Sequence, residues 1–232
     1  MYAVTFALPD ESREFRKLLT KGKGQHARNA AIEIGTLHEV EVAVAHIGVG
    51  AVAAEKGIAA LLEQIRPELL ICAGYGGALD PALRIGDLVL DLRHSGAQMQ
   101  PLNHAQHGAI HTARDAAETV EDKRVLHSRT GAHVVDMETA IVAAACSAAG
   151  VPVLALRVVS DEAGQPLPVP MPHWFDLEAQ RPRPFALVRY LLAHPQAIAP
   201  FARFVAGLSG ARTRLAAGLS ELIADLASRS PR

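Results

Sequence analysis

Short runs of β-branched and aliphatic residues alternate along this chain with helix-forming stretches, and glycine, proline or a polar residue closes each run. The clearest such unit lies between Val135 and Asp161. Residues 138–149 are dominated by alanine, with Ile141 and Val142, and Gly150 followed by Pro152 is a normal helix stop. Val153 to Val159 is then long enough for a strand buried on both faces of a parallel sheet. The same reading gives strands at Tyr2–Leu8, Ala31–Leu37, Glu41–Ile47 and Glu68–Ala73, and one after the turn at Leu83-Arg-Ile-Gly-Asp. Helices are expected at Glu11–Leu19 and from the Gly48-Val-Gly turn to Ile65, where Arg66-Pro67 breaks the pattern. This alternation predicts an α/β fold, a three-layer sandwich with a central mixed sheet.

The rest of the chain is less regular. From Arg93 to His133 it is polar, holds six of the eleven histidines and shows no clear period, which reads as loops with short elements. Pro166, Pro168, Pro170 and Pro172 mark an excursion no helix can follow. Helices are expected at Pro184–Ala193, Pro195–Leu208 and Ala211–Ser228, with Leu187, Leu191, Phe201, Phe204, Val205 and Leu208 at helical spacing and facing the core.

Composition excludes several classes. A net charge of −1 with no block of like charges argues against a nucleic-acid partner. No stretch approaches the roughly 18 apolar residues of a membrane helix, and the first ten residues lack the features of a signal peptide. Cys72 and Cys146 each sit in an apolar run, as buried free thiols in a reducing cytoplasm would.

Chemistry is expected where strands end, because ligands of open α/β sheets bind outside the carboxyl ends of strands. Ser160 and Asp161 occupy such an end, and Glu138 opens the preceding helix. Each has a plainer reading, Asp161 as a turn residue and Glu138 as a first-turn carboxylate favoured by the helix dipole. Gly48-Val-Gly-Ala-Val-Ala matches a relaxed dinucleotide fingerprint, yet the following strand ends Ile71-Cys-Ala-Gly without the carboxylate that would hold a ribose. A close-approach turn fits better. His104, His107 and His111 could share a helix face as metal ligands, but Asn103 and Gly108 favour a loop and no fourth ligand is evident, so no metal is expected.

Taken in order, Glu11, Gly48-Val-Gly, Gly74-Tyr-Gly-Gly, Leu-Arg-Ile-Gly-Asp, Val-Asp-Met-Glu and Arg157-Val-Val-Ser-Asp resemble the purine nucleoside phosphorylase and nucleosidase superfamily over residues 1–161. Glu11 and Met137-Glu138 look like methylthioadenosine/adenosylhomocysteine nucleosidases. Leu79-Asp-Pro-Ala-Leu-Arg-Ile-Gly-Asp-Leu, His127-Ser-Arg-Thr-Gly-Ala and the C-terminus look like hopanoid-associated phosphorylases, which extends the likeness to nearly the whole chain. The resemblance implies one nucleoside phosphorylase-like domain over residues 1–232, with extra helices at about 184–228.

It also implies cleavage of the N-glycosidic bond of a purine nucleoside, a 5′-substituted adenosine such as methylthioadenosine or adenosylhopane, with no cofactor. Asp161 matches the acid that protonates the departing base, and burial at a strand end would keep such an acid neutral. Glu138 matches the acceptor for the ribose hydroxyls, and Met137 an apolar wall on the sugar. Glu11 matches the base that activates water. Ser160, Gly74, Tyr75, Gly76 and Arg157 complete the implied substrate-binding set. Arg157 is an anion ligand in one reading and a buried partner of Asp136 in another. Water is favoured over inorganic phosphate as the nucleophile, because the arginine and serine of bacterial phosphorylases are missing around Cys72-Ala-Gly-Tyr75 and Glu11 would repel an anion. A base-stacking aromatic is not apparent between Thr112 and His133. Family relatives assemble as homo-oligomers, and Arg189, Arg203, Arg212 and Arg214 beside Phe201, Phe204 and Leu208 would suit contact with a membrane interface.

Overall fold

A computed structural model describes residues 1–26, 32–95 and 105–229, with side chains placed outside 21–26. The chain runs through β1 (Tyr2–Phe6), α1 (Arg13–Arg16), β2 (Thr20–His26), β3 (Ile32–Leu37), β4 (Val40–His46), α2 (Ala51–Gln64) and β5 (Leu69–Ala78). It continues through β6 (Leu88–Asp91), β7 (Ala105–His107), β8 (Ile110–Thr112), α3 (Val120–Thr130), β9 (Val134–Asp136), α4 (Thr139–Ala148) and β10 (Val153–Asp161). A two-stranded hairpin, β11 (Phe175–Asp176) with β12 (Arg181–Pro182), then precedes α5 (Pro184–Ala193) and α6 (Ile198–Arg229). Ten strands form one sheet in the order β2-β3-β4-β1-β5-β10-β6-β7, with β9 joining β5 to β8. The centre, β4-β1-β5-β10, is parallel, and β3-β4, β10-β6 and β5-β9 are antiparallel, so the sheet is mixed as expected.

Alternation along the central strands sends side chains to two cores. Val4, Phe6, Ile71, Ala73, Leu154, Leu156 and Val158 meet Phe15 and, from α6, Leu215, Leu219 and Leu222. Ala3, Leu70, Cys72, Ala155 and Val159 meet Ile58 and Leu61 of α2 and Val142 and Cys146 of α4. All nine residues of β10 are buried, as a strand covered by helices on both faces requires.

The structure corrects the sequence reading in four places. The expected helix at Glu11–Leu19 is a single turn, α1, because Glu11 is drawn into the β1 exit and the residues after Lys17 turn into β2. Residues 120–130 form a regular helix inside the segment read as loops. Its sequence has little apolar periodicity, but Thr119 and Asp122 close a capping box and Gly131 ends it at φ 64°. The two C-terminal helices are one, α6, since Gly207 and Gly210 weaken a helix without stopping it. Nor does the stripe Leu187, Leu191, Phe201, Phe204, Val205 and Leu208 enter the core: none is buried and Val205 is 48% exposed. The buried part of α6 begins only at Ala211.

Candidate active site

At the exit of β10 the pairing with β5 shifts register between Val159 and Asp161, and this irregularity re-aims the strand end. Ser160 and Asp161 consequently line a cavity of about 600 Å³ above the sheet. The neighbouring Gly74-Tyr-Gly-Gly end of β5 needs its glycines. A Cβ on Gly76 would stand 2.3 Å from Val134 Cγ1, one on Gly77 3.1 Å from Asp161 Oδ2, and one on Gly74 2.7 Å from Glu11 Oε1.

Three carboxylates from distant parts of the chain, Glu11, Glu138 and Asp161, line the same cavity and are all buried. Glu11 accepts the backbone N–H groups of Leu8 (2.8 Å) and Tyr75 (2.9 Å). Burial pushes its carboxyl above the usual range, against those bonds and the Arg157 charge. Glu138 stands at the N-cap position of α4, and its side chain accepts Gly50 N–H at 2.7 Å. Burial, then the charge of Asp136, push it up to about 7. Gly48 and Gly50 hold φ near +83° and +82°, so the Gly-x-Gly turn brings a backbone N–H onto a carboxylate of the same chain. This is the close-approach turn expected over a dinucleotide site.

Asp161 is held differently. Its Oδ2 lies 2.5 Å from the ammonium of Lys123, a side chain with no exposed surface, and its Oδ1 lies 2.5 Å from Ser160 Oγ. The expectation of an acid governed by desolvation alone therefore gives way to a carboxyl group whose two oxygens meet a buried ammonium and a hydroxyl. Sequence reasoning missed Lys123, because nothing in a polar helical segment tells which of its charges turns inward.

Met137, Ser160, Tyr75 and Gly76 line the cavity with the carboxylates, whereas Gly74 and Arg157 do not. Arg157 is fully enclosed and donates to Asp136 Oδ2 (2.5 Å), with Thr139 Oγ1 at 3.0 Å and Glu138 at 4.0 Å. Of the two sequence readings, the structure takes the buried partner of Asp136. The phenol of Tyr75 reaches Asp10 Oδ2 (3.4 Å) and Leu208 O (3.5 Å), and Arg212 pairs with Asp10 at 2.5 Å, which fastens α6 over this side of the cavity.

The remaining wall is apolar and comes from segments that the sequence left irregular or turned towards the core. Leu167, Met171, Trp174 and Phe175 of the proline-rich excursion, and Phe204 and Leu208 of α6, line the cavity with Met137 and Val49, and Met171, Trp174 and Phe175 pack against those two. Aromatic surface is thus supplied after Asp161 and not between Thr112 and His133. Gln180 ties the excursion to the Gly-x-Gly turn by accepting Val49 N–H (2.7 Å) and donating to Val49 O (2.9 Å). His107 and His111 lie on separate strands, β7 and β8, and His104 lies outside the described residues. Among the described residues, no three His, Cys, Asp or Glu side chains are grouped to hold a metal ion.

Residues 1–101 and 91–192 match the model of the phosphorylase superfamily. Among solved structures, 5′-methylthioadenosine/S-adenosylhomocysteine nucleosidase of Streptococcus pneumoniae, bound to a transition-state inhibitor, aligns with a TM-score of 0.69 at 20% identity, covering 97% of this chain and 99% of that one. The corresponding nucleosidase of Neisseria meningitidis gives 0.68 at 18% identity, covering 96% and 98%. Futalosine hydrolase of Helicobacter pylori gives 0.65 at 19% identity, covering 96% of each chain.

Proposed function

The chain belongs to the phosphorylase superfamily, and from that premise we propose that it cleaves the N-glycosidic bond of a purine nucleoside. The observation that carries this reading is the convergence of Glu11, Glu138 and Asp161 on one cavity. Heterolysis of the C1′–N9 bond needs a proton for the base, stabilisation of a flattened cationic sugar and a nucleophile. Asp161 gives its proton to purine N7. Glu138, poised by burial near neutrality, accepts the ribose hydroxyls, and Met137 packs on the sugar. Glu11, whose proton affinity burial has raised, takes a proton from the attacking water.

Hydrolysis is favoured over phosphorolysis. Glu11 faces the cavity while Arg157 is already committed to Asp136, so a phosphate anion would meet a carboxylate without that guanidinium. The apolar wall of Trp174, Phe204 and Leu208 fits an adenosine bearing an apolar 5′ group, methylthio or larger. Adenine release from 5′-methylthioadenosine, with and without inorganic phosphate, tests both points. Release that does not depend on phosphate is expected, and no release from any purine nucleoside would sink the reading.

Membrane contact belongs to the same proposal. Between Ala179 and Ser220 there is no carboxylate but six arginines, of which Arg212 is taken by Asp10, and Phe185 and Leu192 are 90% and 77% exposed. A segment of this composition suits an anionic lipid surface; co-sedimentation with anionic but not neutral vesicles is expected. Among the described residues, no helix is long and apolar enough to cross a membrane. Assembly as a homo-oligomer of one-domain subunits is likewise expected, and light scattering on the purified chain would show it.

A further inference from the structure

The lysine under Asp161 has no role in the chemistry outlined so far. Lys123 projects inward from α3 and has no exposed surface. Its ammonium has three acceptors, Asp161 Oδ2 at 2.5 Å, Glu162 O at 2.8 Å and Gln165 O at 2.7 Å. Three N–H bonds are therefore satisfied with no water needed. Burying an ammonium is costly, and pairing it gains little net stability over an apolar side chain of similar volume. Cohesion alone is a weak reason for an ion pair here. Its position is better explained by what Asp161 must become.

We propose that Lys123 is a positioning residue and fixed counter-ion for Asp161, an inference that rests on Asp161 protonating the leaving base. As C1′–N9 breaks, the bonding electron pair passes to the purine and the Asp161 carboxyl proton passes to N7. A carboxylate is left behind in a buried cavity. Lys123 neutralises it at the moment it forms, without reorganisation, because the ammonium is already in place. The proton lost by the attacking water goes to Glu11 and then to solvent, from which Asp161 is reprotonated, so the cycle closes with Lys123 charged throughout. Ser160 completes the arrangement. Its Oγ lies 2.5 Å from Asp161 Oδ1 and 3.2 Å from Gly76 O, so it donates to the carboxylate or, turned to Gly76, accepts from the acid. The lysine fixes one oxygen while the serine serves the other in both protonation states.

The competing role is structural, tying residues 162–165 beneath the cavity. Two substrates separate the two. Adenine departs from 5′-methylthioadenosine only with help from an acid, whereas 4-nitrophenolate departs from 4-nitrophenyl β-ribofuranoside without a proton. In Lys123→Met, kcat for adenine release should fall about 100-fold, the lower end for loss of general acid assistance, with KM changed less than about threefold. Nitrophenolate release should stay within about threefold of wild type, and Lys123→Met in an Asp161→Asn background should cost no further rate. Equal losses on both substrates, a loss confined to KM, no loss, or an additive loss in that background would overturn the proposal. Lys123→Gln, which keeps a donor towards the carbonyls of Glu162 and Gln165, carries the same comparison if the methionine variant does not fold. A wild type that releases no base from any nucleoside defeats the functional reading instead, which is a different result.

Discussion

The two sides of the cavity hold the same chemical group in opposite ways. On one side Glu11 and Glu138 are buried carboxylates whose close partners are peptide N–H groups, with Arg157 no nearer than 4.0 Å to Glu138. Both are pushed upward, chiefly by burial. On the other side Asp161 meets an ammonium at 2.5 Å. Neutral dipoles satisfy a carboxylate's lone pairs but offset little of its desolvation, whereas a cation in contact offsets more of it. Groups alike in the sequence thus meet different partners, and on that difference rests the proposal that Glu11 and Glu138 act as acceptors and Asp161 as the proton donor.

The largest effect that would break this division is at Asp161. Asp161→Asn removes the proton to be delivered, and adenine release should fall about 10³-fold, within the usual range for general acid catalysis. A loss below tenfold would place the acid elsewhere. Glu11→Gln keeps an acceptor for only one of the Leu8 and Tyr75 N–H groups and cannot take a proton, so hydrolysis should slow about 10²-fold. A phosphate-dependent activity that survives this change would turn the reading to phosphorolysis.

Glu138→Gln sharpens the comparison through stability. The carboxyl titrates near 7 in the fold, above its ordinary value of 4.5, so the folded state holds its proton to higher pH than the unfolded chain. Stability from that proton is complete below about pH 4.5 and is lost as pH rises towards about 7. Glutamine has nothing to lose there and still accepts from Gly50. The Tm of Glu138→Gln minus that of wild type should therefore grow more positive between pH 5 and 8, while ribose-dependent binding weakens. A constant difference would show that burial does not govern this carboxyl.

The smallest effect is expected at Tyr75. Its phenol contacts are long, 3.4 Å and 3.5 Å, and Asp10 is half exposed, so Tyr75→Phe should change stability by less than about 0.5 kcal/mol in denaturant unfolding. A larger loss would mean that the phenol, and not the Arg212–Asp10 pair, fastens α6 over the cavity.

Much of the central sheet was legible because its strands are buried on both faces, and such strands must be continuous apolar runs. The run Val153–Val159 with its polar exit located Asp161, and Gly74-Tyr-Gly-Gly marked a place where backbones crowd. Helix α3 was missed because it is polar almost throughout, so its caps at Thr119 and Gly131 were the only local signal. The stripe from Leu187 to Leu208 has true helical spacing, but spacing reports that a face is apolar and not what covers it. Phe204 and Leu208 cover the cavity.

What the chain determined by itself were the central strands and the polar strand exit that carries Asp161, since periodicity, turn chemistry and residue type are local properties, whereas Glu11 was named only through the family resemblance. The tertiary structure decided the environments of the three carboxylates. Lys123 precedes Asp161 by 38 residues, and Arg157 finds Asp136 across 21. Which charge is desolvated, and against which partner, depends on how helices and loops close over the sheet. That is a matter of three-dimensional packing, to which no local pattern in the sequence is bound.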